Sequence, residues 1–383
     1  MSVTAPAGFR AAGVTAGLKP SGNPDVAVLV NDGPLSAAAA VFTANRCKAN
    51  PVLWSERAIG GGCVRAVAIN SGGANCYTGA DGFAITHATA EAVAETLQIG
   101  AVEVQVCSTG LIGVLNDRDD LLDGVRRAAT AATSDGADAA AEAIMTTDTH
   151  PKQVVVEGPG WRVGGMAKGA GMLAPALATM LVFLTTDADV DPATCDRALR
   201  AATRLTFDRL DSDGCMSTND TVLLMASGAS GIAPAPGDFA AAVLRACRDL
   251  ARQLLADAEG ADHEIAVEVV GAASEDDALA VGRSIARSNL FKCAIYGRDP
   301  NWGRILASVG TTPARFDPAD LDVRLNGVLV CRESAPGDDP RGVDLSARDV
   351  HVLVDLKSGV AAATVWTSDL TSAYVHENSA YST

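Results

Sequence analysis

The sequence predicts an α/β protein of mixed α+β layers, with sheets covered by helices. Short β-rich runs alternate with helical stretches along all 383 residues, the pattern of layered α/β packing. No internal repeat or long low-complexity linker interrupts the alternation. The length exceeds a typical domain of ~150 residues, so a large core is easily buried.

Strands are read from short β-branched runs bounded by Gly, Pro, Asn or Asp. In order they cover 26–30, 64–69, 102–107, 152–156, 180–186, 221–226, 264–270, 321–326, 350–356 and 361–366. Helices are expected over 84–97, 118–133, 191–205, 237–258 and 274–288. In 237–258 apolar residues recur every three or four positions. Asp238 stands ready as its cap, and Gly260 falls just past its end. The Gly-, Ala- and Pro-rich segment 227–236 reads as a surface loop, and 333–342 as a similar break.

Composition narrows the function. Hydrophobic residues at 48% and charged residues at 20% describe an ordinary globular chain. Aromatics are only 4%, so Ala, Val and Leu must do most of the packing. The formal charge of -16 repels nucleic acid backbones and anionic membranes, so no nucleic acid or membrane partner is expected. The N-terminus lacks the apolar core of a signal peptide. The longest apolar run, 180–184, is far short of the ~20 residues that cross a bilayer. The cytoplasm is the expected location.

Nine cysteines are dispersed without a CxxC pair, which argues against a disulfide framework or a zinc ribbon. Cys107 and Cys293, both within apolar runs, read as small buried hydrophobes. His87, His150, His263, His351 and His376 show no HxH or HExxH spacing, so no metal site is expected. A GxSxG elbow, a Walker loop and a strand-GxGxxG-helix unit are likewise missing. No motif requires a bound cofactor.

One segment stands out, KGAGMLAPALATML at 168–181. Two glycines and a proline precede the step Ala178-Thr179, which runs straight into an apolar strand. A self-cleaving enzyme with an N-terminal nucleophile needs such a step. The Thr179 hydroxyl attacks the Ala178 carbonyl, an N-to-O acyl shift gives an ester, and water cleaves it. The freed α-amine, with a pKa of about 7.7–8.0, then serves as a base beside its own hydroxyl. On the residues alone, an ordinary Gly-rich loop before a buried strand remains the competing reading.

Other stretches invite the same double reading. In CSTGLIG (107–113) a Thr-Gly pair at a strand end can aim donors at one point, as an oxyanion hole does, or be a plain turn. Lys168 lies eleven residues before Thr179 and is followed by Gly169. It can reach a small anionic substrate, or be a solvated lysine. Glu259 is a carboxylate at a helix C-terminal end, where the helix dipole disfavours it. Asn219, Asp220, Asn301 and Arg304, in STNDT and DPNWGR, read first as loop scaffolding and second as neighbours of an active site.

The chain resembles the ornithine acetyltransferase family of the ArgJ type. The resemblance runs through VTAPAGFRAAGV (3–14), NSGGAN (70–75), CSTGLIG, IMTTDTHPK (144–152), KGAGMLAPALATML, STNDT (217–221), DPNWGR (299–304) and ENSAYST (377–383). It implies an N-terminal-nucleophile type of fold, cleaved between Ala178 and Thr179 into chains 1–178 and 179–383 that stay associated as α2β2. It implies Thr179 as nucleophile, Thr109 and Gly110 as oxyanion hole, and Thr147, Lys168, Thr179, Glu259, Asn378 and Thr383 as substrate contacts. The activity implied is ping-pong transfer of acetyl from N-acetylornithine to glutamate in arginine biosynthesis. Acetyl-CoA stays open as a co-substrate. A tail ending in Thr383 must then be docked rather than frayed, with Tyr381 as its anchor. Two other readings use the same parts: an N-terminal-nucleophile amidohydrolase or aminopeptidase, and a non-catalytic scaffold.

Overall fold

The computed structural model describes residues 2–171 and 180–380. Among these residues the backbone forms three sheets with helices packed on them. In spatial order, the four-stranded sheet holds Phe9–Val14, Val26–Asn31, Ala66–Asn70 and Val104–Ser108. The five-stranded sheet holds Ala37–Phe42, Thr221–Ala226, Leu181–Thr186, Trp161–Lys168 and Lys152–Gly158. A six-stranded sheet is built from the C-terminal part, with Glu264–Ala272 between Asp349–Asp355 and Ala361–Ser368.

The first two sheets stack face to face. Leu181 and Phe183 meet Leu29, Val67 and Ile69 in the space between them. Val182 and Leu184 point the other way, onto helices Pro192–Leu205 and Pro236–Ala256. The strand is therefore buried on both faces, which is why it reads as an unbroken apolar run. Outside the four-stranded sheet, Val28, Ala68 and Val106 pack on helices Gly79–Leu97 and Arg118–Ala131. The result is a helix–sheet–sheet–helix stack. The six-stranded sheet has its own core on one face only. Accordingly Ile265, Val267 and Val269 are buried while Glu264, Ala266 and Glu268 are half-buried.

The expected mixed α/β layers are therefore present, and each expected strand and helix has a counterpart. The differences have local causes. Strand Ala37–Phe42 was not expected, because four successive alanines carry little strand preference. They fit where two sheets and a helix leave room only for small side chains. Strand Trp161–Lys168 was hidden by its glycines. A Cβ at Gly164 would fall 2.0 Å from the Ser2 carbonyl oxygen, so the close approach of the N-terminal segment requires glycine there.

Helix Pro236–Ala256 starts one residue earlier than read, with Pro236 in its first turn. Asp238 therefore lies inside the first turn rather than at the cap. Asn301 sits at the start of helix Trp302–Val309 and Arg304 lies within it, so DPNWGR joins two helices and Arg304 is helical rather than part of a loop. Cys107 is buried, but Cys293 is exposed on the outer side of helix Asn289–Tyr296, which corrects its reading as a buried hydrophobe. Among the described residues no helix is long and apolar enough to cross a membrane.

Candidate active site

A cavity of about 370 Å³ opens where the stacked sheets meet the end of helix Pro236–Ala256 and the C-terminal helix Ser372–Ala380. Thr109, Gly110, Thr147, Lys168, Glu259 and Asn378 all line it. These are six of the residues singled out in the sequence, and they come from five separate segments. Thr179, Ala178, Tyr381 and Thr383 lie outside the described residues.

The Thr109-Gly110 corner is set by the parallel pairing of Val104–Ser108 with Ala66–Asn70. Thr109 N–H donates to the Asn70 carbonyl at 2.9 Å. Gly110 has φ +123°, and a Cβ there would come within 3.0 Å of the Gly73 backbone. Only glycine suits both constraints. Asn219 closes this corner by donating from Nδ2 to the carbonyls of Ala74 and Ser108, each at 2.7 Å. The NSGGAN, CSTG and STND stretches, far apart in sequence, are thus one hydrogen-bonded knot.

Lys168 is the last residue of its strand, paired with Leu181. It does not lie in a loop, and it is 1% exposed, so it is no solvated lysine. Its Nζ donates to Thr109 Oγ1 at 3.3 Å. Burial pulls its pKa below the usual lysine range, Asp148 opposes that, and Lys152 adds to it. Across the cavity, Asn378 Nδ2 donates to Glu259 Oε2 at 3.0 Å, and Glu259 N–H donates to the Ala170 carbonyl at 3.0 Å. The cavity therefore carries a cation on one wall and a carboxylate on another.

A sequence profile of the ArgJ family matches residues 10–383. The chain belongs to the ArgJ family. It is 63% identical over 382 residues to the arginine biosynthesis bifunctional protein ArgJ of Streptomyces avermitilis, with 100% of each chain covered. Among solved structures it resembles the Bacillus halodurans ArgJ, at 38% identity and TM-score 0.50, covering 52% of this chain and 98% of that one. It also resembles the Mycobacterium tuberculosis ornithine acetyltransferase complexed with ornithine, at 58% identity and TM-score 0.45, covering 45% of this chain and 94% of that one. This ArgJ chain is an enzyme, an acyltransferase of arginine biosynthesis.

Beneath the cavity of this ArgJ chain lies a buried charge network that the sequence did not reveal. Asp148 accepts from Gly169 N–H at 2.6 Å, Thr146 N–H at 3.0 Å and Lys152 Nζ at 2.7 Å. Lys152 Nζ also donates to Asp257 at 2.5 Å. Burial raises the Asp148 pKa, but Lys168 and Lys152 outweigh it and bring it to about 2. Lys19 donates to the carbonyls of Met145 at 2.7 Å and Pro24 at 2.9 Å. Burial lowers it to about 8, with Asp25 opposing and Lys168 adding to the fall. Three ammonium groups and three carboxylates thus surround the floor, and they fix the cavity's segments to one another. The one available signal was an acid and a base four residues apart, Asp148 and Lys152, leading into a strand.

Asp220 is the other residue whose placement exceeded its sequence reading. It is fully buried, and its Oδ1 accepts from Met180 N–H at 3.0 Å. Burial lifts its pKa well above the carboxylate range, against the bonds from Met180 and Ser217. STNDT is therefore more than loop scaffolding. Asn219 fastens the Thr109 corner, and Asp220 grips the backbone immediately after position 179.

Proposed function

We propose that this enzyme transfers the acetyl group of N2-acetyl-L-ornithine to L-glutamate by ping-pong chemistry through an acetyl-Thr179 ester. The reading rests on one observation: Thr109, Gly110, Thr147, Lys168, Glu259 and Asn378 converge on a single cavity. The strand that begins beside position 179 is held at that cavity's edge. Asp220 holds Met180, and Leu181 pairs with Lys168.

In this reading the chain is cleaved between Ala178 and Thr179, giving chains 1–178 and 179–383. The near-complete match to a Bacillus halodurans chain that spans 52% of this one is what a polypeptide cut near its middle would give. The new α-amine takes the proton from its own hydroxyl, which attacks the acetyl carbonyl. The Gly110 backbone N–H and the Thr109 hydroxyl take the oxyanion, a contribution of roughly 3–4 kcal/mol per donor. Lys168 then faces substrate negative charge, and Glu259 with Asn378 faces an amino group, joined by Thr147 and Thr383. Ornithine leaves, and glutamate attacks the ester in its place. The chemistry exchanges one amide for another, so no ATP is consumed. The working assembly is α2β2 in the cytoplasm, with acetyl-CoA as an alternative acetyl donor.

Intact-mass spectrometry after incubation with N-acetylornithine tests the reading. Two chains and one added acetyl on the fragment beginning at Thr179 are expected. A single 39.0 kDa chain that still exchanges acetyl groups at full rate would sink it. Free acetate formed faster than acetylglutamate would favour the amidohydrolase.

A further inference from the structure

The side of helix Pro236–Ala256 turned toward strand Ala361–Ser368 forms a second cavity, of about 320 Å³, which shares no lining residue with the catalytic one. We propose that it binds a small organic anion carrying two or more negative charges at one end and a flat apolar body at the other.

The charge of the lining departs from that of the chain. The protein has a net charge of -16, yet among the described residues no Asp or Glu lines this cavity, and Arg209, Arg248 and Arg252 do. Arg248 and Arg252 stand one helical turn apart and are exposed. Among the described residues neither has an ion-pair or hydrogen-bond partner. The acid between them, Asp249, accepts from Gln253 instead, at 3.4 Å. Glu275, which Arg209 contacts at 2.6 Å, is shared with Arg204. Burial lowers the Arg209 pKa, Glu275 opposes, and the like charges of Arg204 and Arg283 lower it further. Positive charge is therefore in excess, in the guanidinium form that grips phosphate or carboxylate by two parallel bonds.

The remaining wall is apolar. Leu205, itself 38% exposed, and Leu255 flank the half-buried ring of Trp366. An indole face beside guanidinium groups suits a planar ring. A neighbouring cavity shares Arg252, Leu255 and Trp366, so the space extends along the strand. That neighbour contains Glu264 and Asp349, which places the anionic end of a ligand among the arginines. The volume lies within the ~300–1,000 Å³ usual for small-molecule sites, and the position between two packed layers is a usual one.

Titration calorimetry on the whole protein, with AMP and 1-naphthyl phosphate as probes, tests this site. Adenosine and inorganic pyrophosphate supply the ring and the charge separately. Both aryl-bearing phosphates should bind, and each half-ligand should bind at least about tenfold more weakly, ~1.4 kcal/mol. The double variant Arg248→Ala/Arg252→Ala, changed only at exposed positions, should fold normally by circular dichroism and lose at least about tenfold in AMP affinity. N-acetylornithine should not compete. The proposal fails if neither aryl-bearing phosphate binds up to about 10 mM, or if the arginine variant binds AMP unchanged. Displacement by N-acetylornithine, or pyrophosphate binding as tightly as AMP, would also overturn it.

Discussion

Lys152 Nζ lies 2.7 Å from Asp148 Oδ1, and both side chains are fully buried. This pair sits between the cavity lined by Lys168 and Asp257, so it joins the cavity's floor to the end of helix Pro236–Ala256. Breaking one side of such a pair leaves a bare charge in a low-dielectric interior.

Asp148→Ala is therefore expected to destabilise the fold by roughly 3–5 kcal/mol. Urea denaturation of the two proteins measures this. Lys152→Met with Asp148→Leu, which removes this pair and leaves Asp257 to its bonds from Thr149, should recover part of the loss. Equal instability of the single and double variants would refute the role of the pair.

Asp148 also sets a slope in acid. Its folded pKa of about 2 lies below the ordinary 3.8, so the native state binds fewer protons than the unfolded one in that window. The contribution, about 2 kcal/mol, is complete above pH 3.8 and lost as pH falls toward 2. Lys19, lowered to about 8 from 10.5, has the opposite ionisation sense. Its half-buried charge weighs on the fold fully below pH 8, and stability rises between 8 and 10.5 as the proton leaves. Thermal melts of the wild type, Asp148→Asn and Lys19→Met across pH should show each variant lacking its own slope.

For Lys168, activity and stability should move apart. Lys168→Met removes a buried cation whose desolvation outweighs its attraction to Asp148, so the melting temperature should hold or rise. Steady-state kinetics should show kcat/KM for N-acetylornithine falling about 10–150-fold, the equivalent of roughly 1.5–3 kcal/mol for a hydrogen bond to a charged group. A variant with wild-type kinetics would remove Lys168 from the substrate site.

Gly110→Ala tests the corner next to it. The added Cβ meets the Gly73 backbone at 3.0 Å and occupies φ +123°, which costs about 1–3 kcal/mol of backbone strain. If Gly110 N–H holds the oxyanion, kcat should fall about 10²–10³-fold with KM little changed. A change confined to the melting temperature would leave Gly110 as a turn residue only.

Legibility differed by residue for physical reasons. MLVFLTT was plain because a strand buried on two faces must be apolar throughout. WRVGGMAK was obscure because Gly164 answers to the Ser2 carbonyl, a contact 162 positions away in the chain. Lys168 and Glu259 stood out locally but with two readings each, and Asn378 only through a resemblance, since periodicity cannot separate a buried lysine from a solvated one. Asp148, Lys152 and Asp257 had no local signature of burial.

The sequence alone determined the alternation of strands and helices, the faces they bury and the segments rich in special residues. Those properties depend on neighbours a few positions apart. The tertiary structure decided that Asn70, Ser108 and Asn219 form one corner, that Lys152 pairs with acids from two segments, and that three arginines line one cavity with Trp366. Such placements depend on contacts between segments distant in the chain, and burial then changes what each charge can do.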